Sequence, residues 1–248
     1  MNRQYKKPPL VEAVCEFRFE PGSPWDLAIP GLLYKPPLSD IFPNRKPGKA
    51  FEALVTAGPG GVQQQISQTD MAQFWKEDES ALVQLSPDVL AVIHRKPYPG
   101  WLLFLPMIRQ AVEAYQEVAK PNGLQRIGLR YVNQINFDQS RVELEDYFDF
   151  YPFVGERIAQ DHSGFLVGIN IPFDDERDIL RLQMATIGEQ KNAISIVLDL
   201  DYFLRIPGSI TFGNVFNWLD RAHARAEEAF EGCLKAALRE RFEEASDG

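Results

Sequence analysis

The chain is poor in the side chains that most often advertise chemistry. Only two cysteines, Cys15 and Cys233, and three histidines, His94, His162 and His223, occur in 248 residues. Two cysteines cannot make a disulfide framework or a four-cysteine zinc site. The histidines lie far apart, with no His-x-x-x-His pair and no Gly-x-Ser-x-Gly beside them, so neither a histidine metal site nor a serine nucleophile is announced. No apolar run approaches the roughly 20 residues that a bilayer span needs. The basic opening Met1-Asn2-Arg3-Gln4-Tyr5-Lys6-Lys7-Pro8-Pro9 is followed by no apolar core, which argues against a signal peptide and for the reducing cytoplasm. Gly58-Pro59-Gly60-Gly61 is rich in glycine, but no Gly-Lys-Ser/Thr follows, so it is a turn rather than a phosphate cradle.

Basic charge is also scarce. Lys and Arg total 26 against 35 Asp and Glu, a net charge of −9, carried wholly by the second half: residues 1–125 hold 13 of each sign, and 126–248 hold 13 basic and 22 acidic. An acidic chain works against the phosphate field, so nucleic acid is disfavoured as the partner. Hydrophobic content of 45% and charged content of 25% are those of an ordinary globular chain.

The strongest local pattern is alternation. Ala13, Cys15, Phe17 and Phe19 fall on one side of a strand and Glu12, Glu16 and Arg18 on the other. Arg126–Phe137 repeats the pattern, with Ile127, Leu129, Tyr131, Asn133, Ile135 and Phe137 on one side. A short helix is expected from Pro24 up to Pro30-Gly31, and an irregular proline-rich connection over 35–50. Strands are expected over 51–57, 62–67, 71–76, 81–85 and 89–95, joined by hairpin-length links that make them antiparallel. The spacing of Leu105, Ile108, Val112, Tyr115 and Val118 predicts a helix ended by Pro121-Asn122-Gly123. After the second opening strand, Ser140-Arg141-Val142-Glu143 fits a capping box for a helix over 142–148. Strands over 165–171, 179–185 and 194–202 follow, then a helix of about thirty residues from Asn214 with its apolar stripe at Leu219, Ala222, Ala226, Phe230, Cys233 and Ala237.

The expected fold class is therefore α+β: two duplicated strand–helix–antiparallel-strands–helix units, residues 1–123 and 124–248, sharing one curved antiparallel sheet backed by two long helices. The opening strands would pair, with Glu12 and Glu16 facing Arg126 and Arg130. Such an order is similar to GyrI-like effector-binding domains and to the saddle of the TATA-binding protein, an analogy of element order alone.

Site candidates follow from that seam. Arg18, Arg126 and Arg130 offer planar donors suited to carboxylate or phosphate; the alternative is an ion-pair network holding the halves together. Tyr131, Asn133 and His223 would line the apolar side, His223 lying seven residues from both Phe216 and Phe230. Asp199 and Asp201, two apart on a strand, are the candidates for a divalent cation, weighed against a solvated sheet face. The acidic cluster Asp174, Asp175, Glu176 and Asp178 lacks calcium-loop spacing and is expected at a hairpin tip. Both cysteines fall on apolar stripes and are expected to be inert.

Five stretches together carry a resemblance: Tyr5-x-x-Pro8-Pro9-Leu10-x-Glu12-Ala13-Val14, Tyr98-x-x-Trp101-x-x-Phe104, Arg126-x-Gly128-Leu129-Arg130-Tyr131-x-Asn133, Leu198-Asp199-Leu200-Asp201, and His223-x-x-x-Glu227-x-x-Phe230. In these the chain resembles an uncharacterised, sporadically distributed prokaryotic family of similar length, the central Arg-x-Gly-Leu-Arg-Tyr-x-Asn run being the specific part. The resemblance implies no activity; the scattered distribution implies an accessory or defence-associated role. The sequence thus favours a non-catalytic binding protein for a small anionic ligand or a protein partner, with no cofactor and no membrane contact. The alternatives are a metal-assisted hydrolase or nucleotide-acting enzyme at Asp199/Asp201, and a component of a defence or toxin-like assembly.

Overall fold

The architecture is that of a computed structural model, which describes residues 3, 5–58, 61–155, 157–159, 163–190 and 193–243, by backbone alone at 50–58, 61–69 and 188–190. His162 and the turn residues Pro59 and Gly60 lie outside the described residues. In chain order the elements are β1 (Leu10–Phe19), α1 (Ile29–Leu33), α2 (Leu38–Ile41), β2 (Asn44–Gly58), β3 (Gly61–Trp75), β4 (Ala81–Ser86), β5 (Val89–Arg95), α3 (Trp101–Ala119), β6 (Leu124–Phe137), β7 (Leu166–Phe173), β8 (Asp178–Gln190), β9 (Ala193–Leu204), α4 (Val215–Cys233) and α5 (Ala236–Phe242).

Among the described residues nine strands form one antiparallel sheet in the order β2-β3-β4-β5-β1-β6-β9-β8-β7. The pair β1–β6 stands in its middle, with Val14 opposite Arg130 and Arg18 opposite Arg126. The helices cover one face. Alternation selects what they cover: Cys15, Phe17, Val83, Val92, Leu129, Ile135, Leu198 and Leu200 are buried beneath α3 and α4 together with Phe104, Ile108, Trp218 and Leu219. Burying a side chain of this kind stabilises by about 1.5–3 kcal/mol, which is what holds two amphipathic helices to one sheet face. Phe19 stacks on Tyr115 with ring centroids 4.3 Å apart, fixing the far end of α3. Among the described residues no helix is long and apolar enough to cross a membrane.

Five expectations need correction. The segment 35–50 is not wholly irregular: β2 begins at Asn44 and contains Pro47, which an edge strand tolerates because its missing N–H costs no ladder bond. β3 is one strand through 61–75, since Gln68-Thr69-Asp70 holds no breaker. Pro30 does not end a helix from Pro24; it occupies the first turn of α1, where a proline lacks nothing. No helix fills 142–148, and the final helix is not continuous; the two departures share a cause. The backbone of Phe148 bridges to Leu234, Lys235 N–H donates to Tyr147 O and Asp149 N–H to Cys233 O. These bonds hold Phe148 in a β-bridge after a single 3-10 turn at Leu144–Asp146, and Leu234 on the other side of the bridge leaves helical geometry, separating α4 from α5. Burial of Phe148 and Leu234 offsets the lost helical bonds, and Leu238 rather than Ala237 continues the buried stripe.

Candidate functional site

Among the described residues no helix packs on the face of the sheet opposite α3 and α4, and β1, β6 and β9 carry its charged centre. Arg18 and Arg126 stand directly opposite one another, a like-charge pairing that alone would destabilise the strand pair. Glu16 resolves it: its Oε1 accepts from Arg18 Nε at 2.8 Å and from Arg126 Nη1 at 3.0 Å. Arg126 Nη2 donates in turn to Asp201 Oδ2 at 2.9 Å. Arg130 binds Asp199 in a two-pronged contact, Nε to Oδ1 at 2.8 Å and Nη2 to Oδ2 at 2.6 Å. Each of Arg126 and Arg130 therefore reaches past its own register position to a carboxylate on β9.

Gly128 makes this possible. A Cβ there would lie 2.4 Å from Arg126 Nη1, so the guanidinium lies flat across bare backbone between Glu16 and Asp201. The Arg-x-Gly spacing is thus a seat for an arginine side chain. The guanidinium also lies 4.8 Å from the centre of the Phe203 ring. Around it runs an open groove of about 570 Å³, lined by Val14, Glu16, Arg18, Arg126, Gly128, Arg130, Asp201, Phe203 and Arg205.

Burial holds the Asp201 carboxyl above the usual carboxylate range, against the opposing pull of Arg126, Arg130 and Arg181. Arg130 is held more firmly protonated by its bonds to Asp199. The expected pairing of Arg126 with Glu16 is present; that of Arg130 with Glu12 is replaced by Asp199. Asp199 and Asp201 do not stand as a free pair awaiting a cation. Each holds an arginine, with side chains 13% and 15% exposed, and among the described residues no three His, Cys, Asp or Glu side chains are grouped to hold a metal ion.

Tyr131, Asn133 and His223 lie on the other side of the sheet, separated from the arginines by its thickness. Trp101 at the start of α3 stacks on His223 of α4, ring centroids 4.4 Å apart, and its Nε1 donates to Asp220 Oδ1 at 2.9 Å. The Tyr131 hydroxyl lies 2.9 Å from His223 Nδ1, and His223 Nε2 lies 3.4 Å from Glu227 Oε1. Burial pushes the His223 imidazole down to about 4, so it is neutral at pH 7; Tyr131 then donates to Nδ1 and Nε2–H faces Glu227. Tyr98 packs edge-on against Tyr131, its buried hydroxyl without a hydrogen bond of ordinary geometry among the described residues. These groups pin α3 and α4 to β6. Asn133 Nδ2 donates to Leu198 O at 3.2 Å, a tie to β9. The six candidates from the sequence therefore divide into an arginine cluster on the open face and a pin on the helical face.

Buried Cys15 and Cys233 have thiols raised by desolvation, Cys233 to about 12, which leaves them poor nucleophiles. Sequence reasoning missed three features. Asp178, expected at a hairpin tip, is the first residue of β8 and 1% exposed; it accepts from Trp218 Nε1 at 3.0 Å and Tyr202 OH at 3.1 Å and pairs with Arg177. Arg95 lies over Trp75 and Arg181 over Phe203, guanidinium-to-ring distances of 4.7 and 5.3 Å. The only sequence signal for these was an arginine at an outward position of an alternating strand.

No family model and no curated protein matches the chain. Among solved structures, the S. pombe Pct1 RNA triphosphatase in complex with the Spt5 CTD aligns over 94% of this chain and 81% of that one, at 11% identity and a TM-score of 0.14. A score that low carries no argument about fold or function.

Proposed function

We propose that the protein is a non-catalytic binding module whose recognition surface is the open face of the sheet, and that its occupant is a partner protein. The observation that supports this is the state of the arginines. Each of Arg18, Arg126 and Arg130 is already bonded to a carboxylate, yet Arg130 stays 50% exposed above a groove with an aromatic floor. A small anion would meet cations whose charge is largely spent, and it would have to desolvate beside Asp201. A protein surface, which brings donors as well as acceptors, matches an array of alternating sign. The uncovered half-apolar face and its held guanidinium planes are of the kind enriched in interfaces.

The same proposal takes the two halves as repeats of one unit, 1–123 and 124–248, in a single compact body. From the pair β1–β6 the strands run outward as β5, β4, β3, β2 and as β9, β8, β7, and a 19-residue helix follows the last strand of each half, α3 after β5 and α4 after β9, with α5 beyond it in the second. It also retains membership of the prokaryotic family with the Arg-x-Gly-Leu-Arg-Tyr-x-Asn run, a cytoplasmic location, and service as one component of a larger assembly. The motif residues support it by gathering into the arginine seat and the helix pin.

The test is co-purification from the native host with the tagged chain, its double variant Arg130→Gln/Arg205→Gln, and a helix-side control, Arg221→Gln. The expected result is a stoichiometric protein partner kept by the wild type and the control and lost by the double variant. Equal capture by all three would refute the proposed surface.

A further inference from the structure

Most cations of the open face are matched by a carboxylate within the chain. Lys46 pairs with Glu79 and Arg205 with Glu176, alongside the pairs of Arg18, Arg126 and Arg130. Two arginines stand apart. Arg95 is opposite Glu12 in register but lies over the Trp75 ring instead, and Arg181, opposite Asp201, lies over Phe203. Among the described residues neither makes an ion pair of bonding distance, and both are exposed. Stacking on an aromatic ring holds a guanidinium in place while leaving its N–H edge to solvent, so little side-chain freedom remains to be lost on binding.

Arg95 is on β5 and Arg181 on β8, four strands apart in the sheet. At about 4.8 Å per strand the two anchors are roughly 20 Å apart. Between them Glu12, Glu16, Asp199 and Asp201 alternate with Arg18, Arg126 and Arg130, most of them already paired, so the middle of the face is close to neutral and favours no net charge on the occupant there. We infer that the open face takes an extended segment of a partner protein laid across the strands, acidic at two points about 20 Å apart and neutral between them. At about 3.3 Å per residue that spacing is about six residues. Single-stranded nucleic acid fits less well: it carries phosphate at every step, over the carboxylates too, and both aromatic rings are already faced by cations. The inference rests on the open face being the recognition surface.

The probes are two labelled octapeptides of equal charge, Glu-Glu-Ser-Thr-Ser-Thr-Glu-Glu and Ser-Thr-Glu-Glu-Glu-Glu-Ser-Thr, and a thymidine decamer, measured by fluorescence anisotropy with the full chain at low salt (about 50 mM). The end-acidic peptide is expected to bind about tenfold more tightly than the centre-acidic one, and Arg95→Gln and Arg181→Gln each to weaken it about tenfold, with circular dichroism unchanged. Equal binding of the two peptides, binding of neither, or tighter binding of the decamer would overturn the inference. If the host partner is still lost in Arg130→Gln/Arg205→Gln while the peptides fail, the two-anchor inference alone falls; if the host partner is also indifferent to that variant, the proposed surface falls with it.

Discussion

Asp178→Ala is expected to destabilise the fold by about 3–5 kcal/mol, a large fraction of what a domain of this size has in reserve. The carboxylate is 1% exposed and is the acceptor for two buried donors, Trp218 Nε1 on α4 and Tyr202 OH on β9, besides pairing with Arg177. Alanine would leave the indole N–H and the phenol O–H buried without a partner, each costing about 1–3 kcal/mol, and would leave the partly buried Arg177 guanidinium with Asp174 as its remaining carboxylate. Trp218 is among the largest wholly buried side chains, so this carboxylate fixes where α4 sits on the sheet. Asn at the same position keeps one acceptor oxygen and should cost about half as much. Urea unfolding measures both, as a lower midpoint at constant slope. A loss below about 1 kcal/mol for the alanine variant would mean the two donors have found other partners.

The second large effect is a dependence on pH. Folding lowers the His223 imidazole from the ordinary 6.5 to about 4, because it is buried between Trp101 and Tyr131. Between those values the unfolded chain binds a proton that the folded chain refuses, so stability falls as the pH is lowered. The contribution is fully present above pH 6.5, declines through the window, and is gone near pH 4. Its full size is on the order of 3 kcal/mol. His94 is lowered too, by burial, and adds to the same slope. Asp201 acts oppositely: its carboxyl is raised in the fold, so its share of stability falls as the pH rises above the ordinary carboxylate value. His223→Gln, whose amide can still accept from Tyr131, should therefore flatten most of the slope between pH 6.5 and 4 in urea titrations. An unchanged slope would place the proton uptake elsewhere.

Much of this was legible before any coordinates. The alternation in Ala13–Phe19 and Arg126–Phe137 gave the two central strands and the side that each residue faces, because the period of a strand leaves no freedom once one face is buried. Helical spacing marked α3 and the buried face of α4 in the same way. What the sequence hid depends on register or on tertiary ties. The capping box at 140–143 is a sound local signal, overruled by backbone bonds to residues 233–235 that are remote in sequence. Arg130 chooses Asp199 over Glu12 because of how β6 and β9 are aligned, and no spacing within either strand reveals that. Asp178 looks like its acidic neighbours in the turn and differs only in pointing inward beside Trp218. The two stacked arginines, similarly, are visible only when strands distant in the chain are laid side by side.

The claim that the open face is the working surface is tested most directly by placing a photo-crosslinking phenylalanine analogue at single positions and irradiating cells of the native host. The analogue at Phe203, in the groove, is expected to yield a discrete adduct with another protein, and the analogue at Phe216, on α4, to yield none. Adducts from Phe216 with none from Phe203 would contradict the account, since the partner would then be reading the helices and the arginine array would be an internal brace.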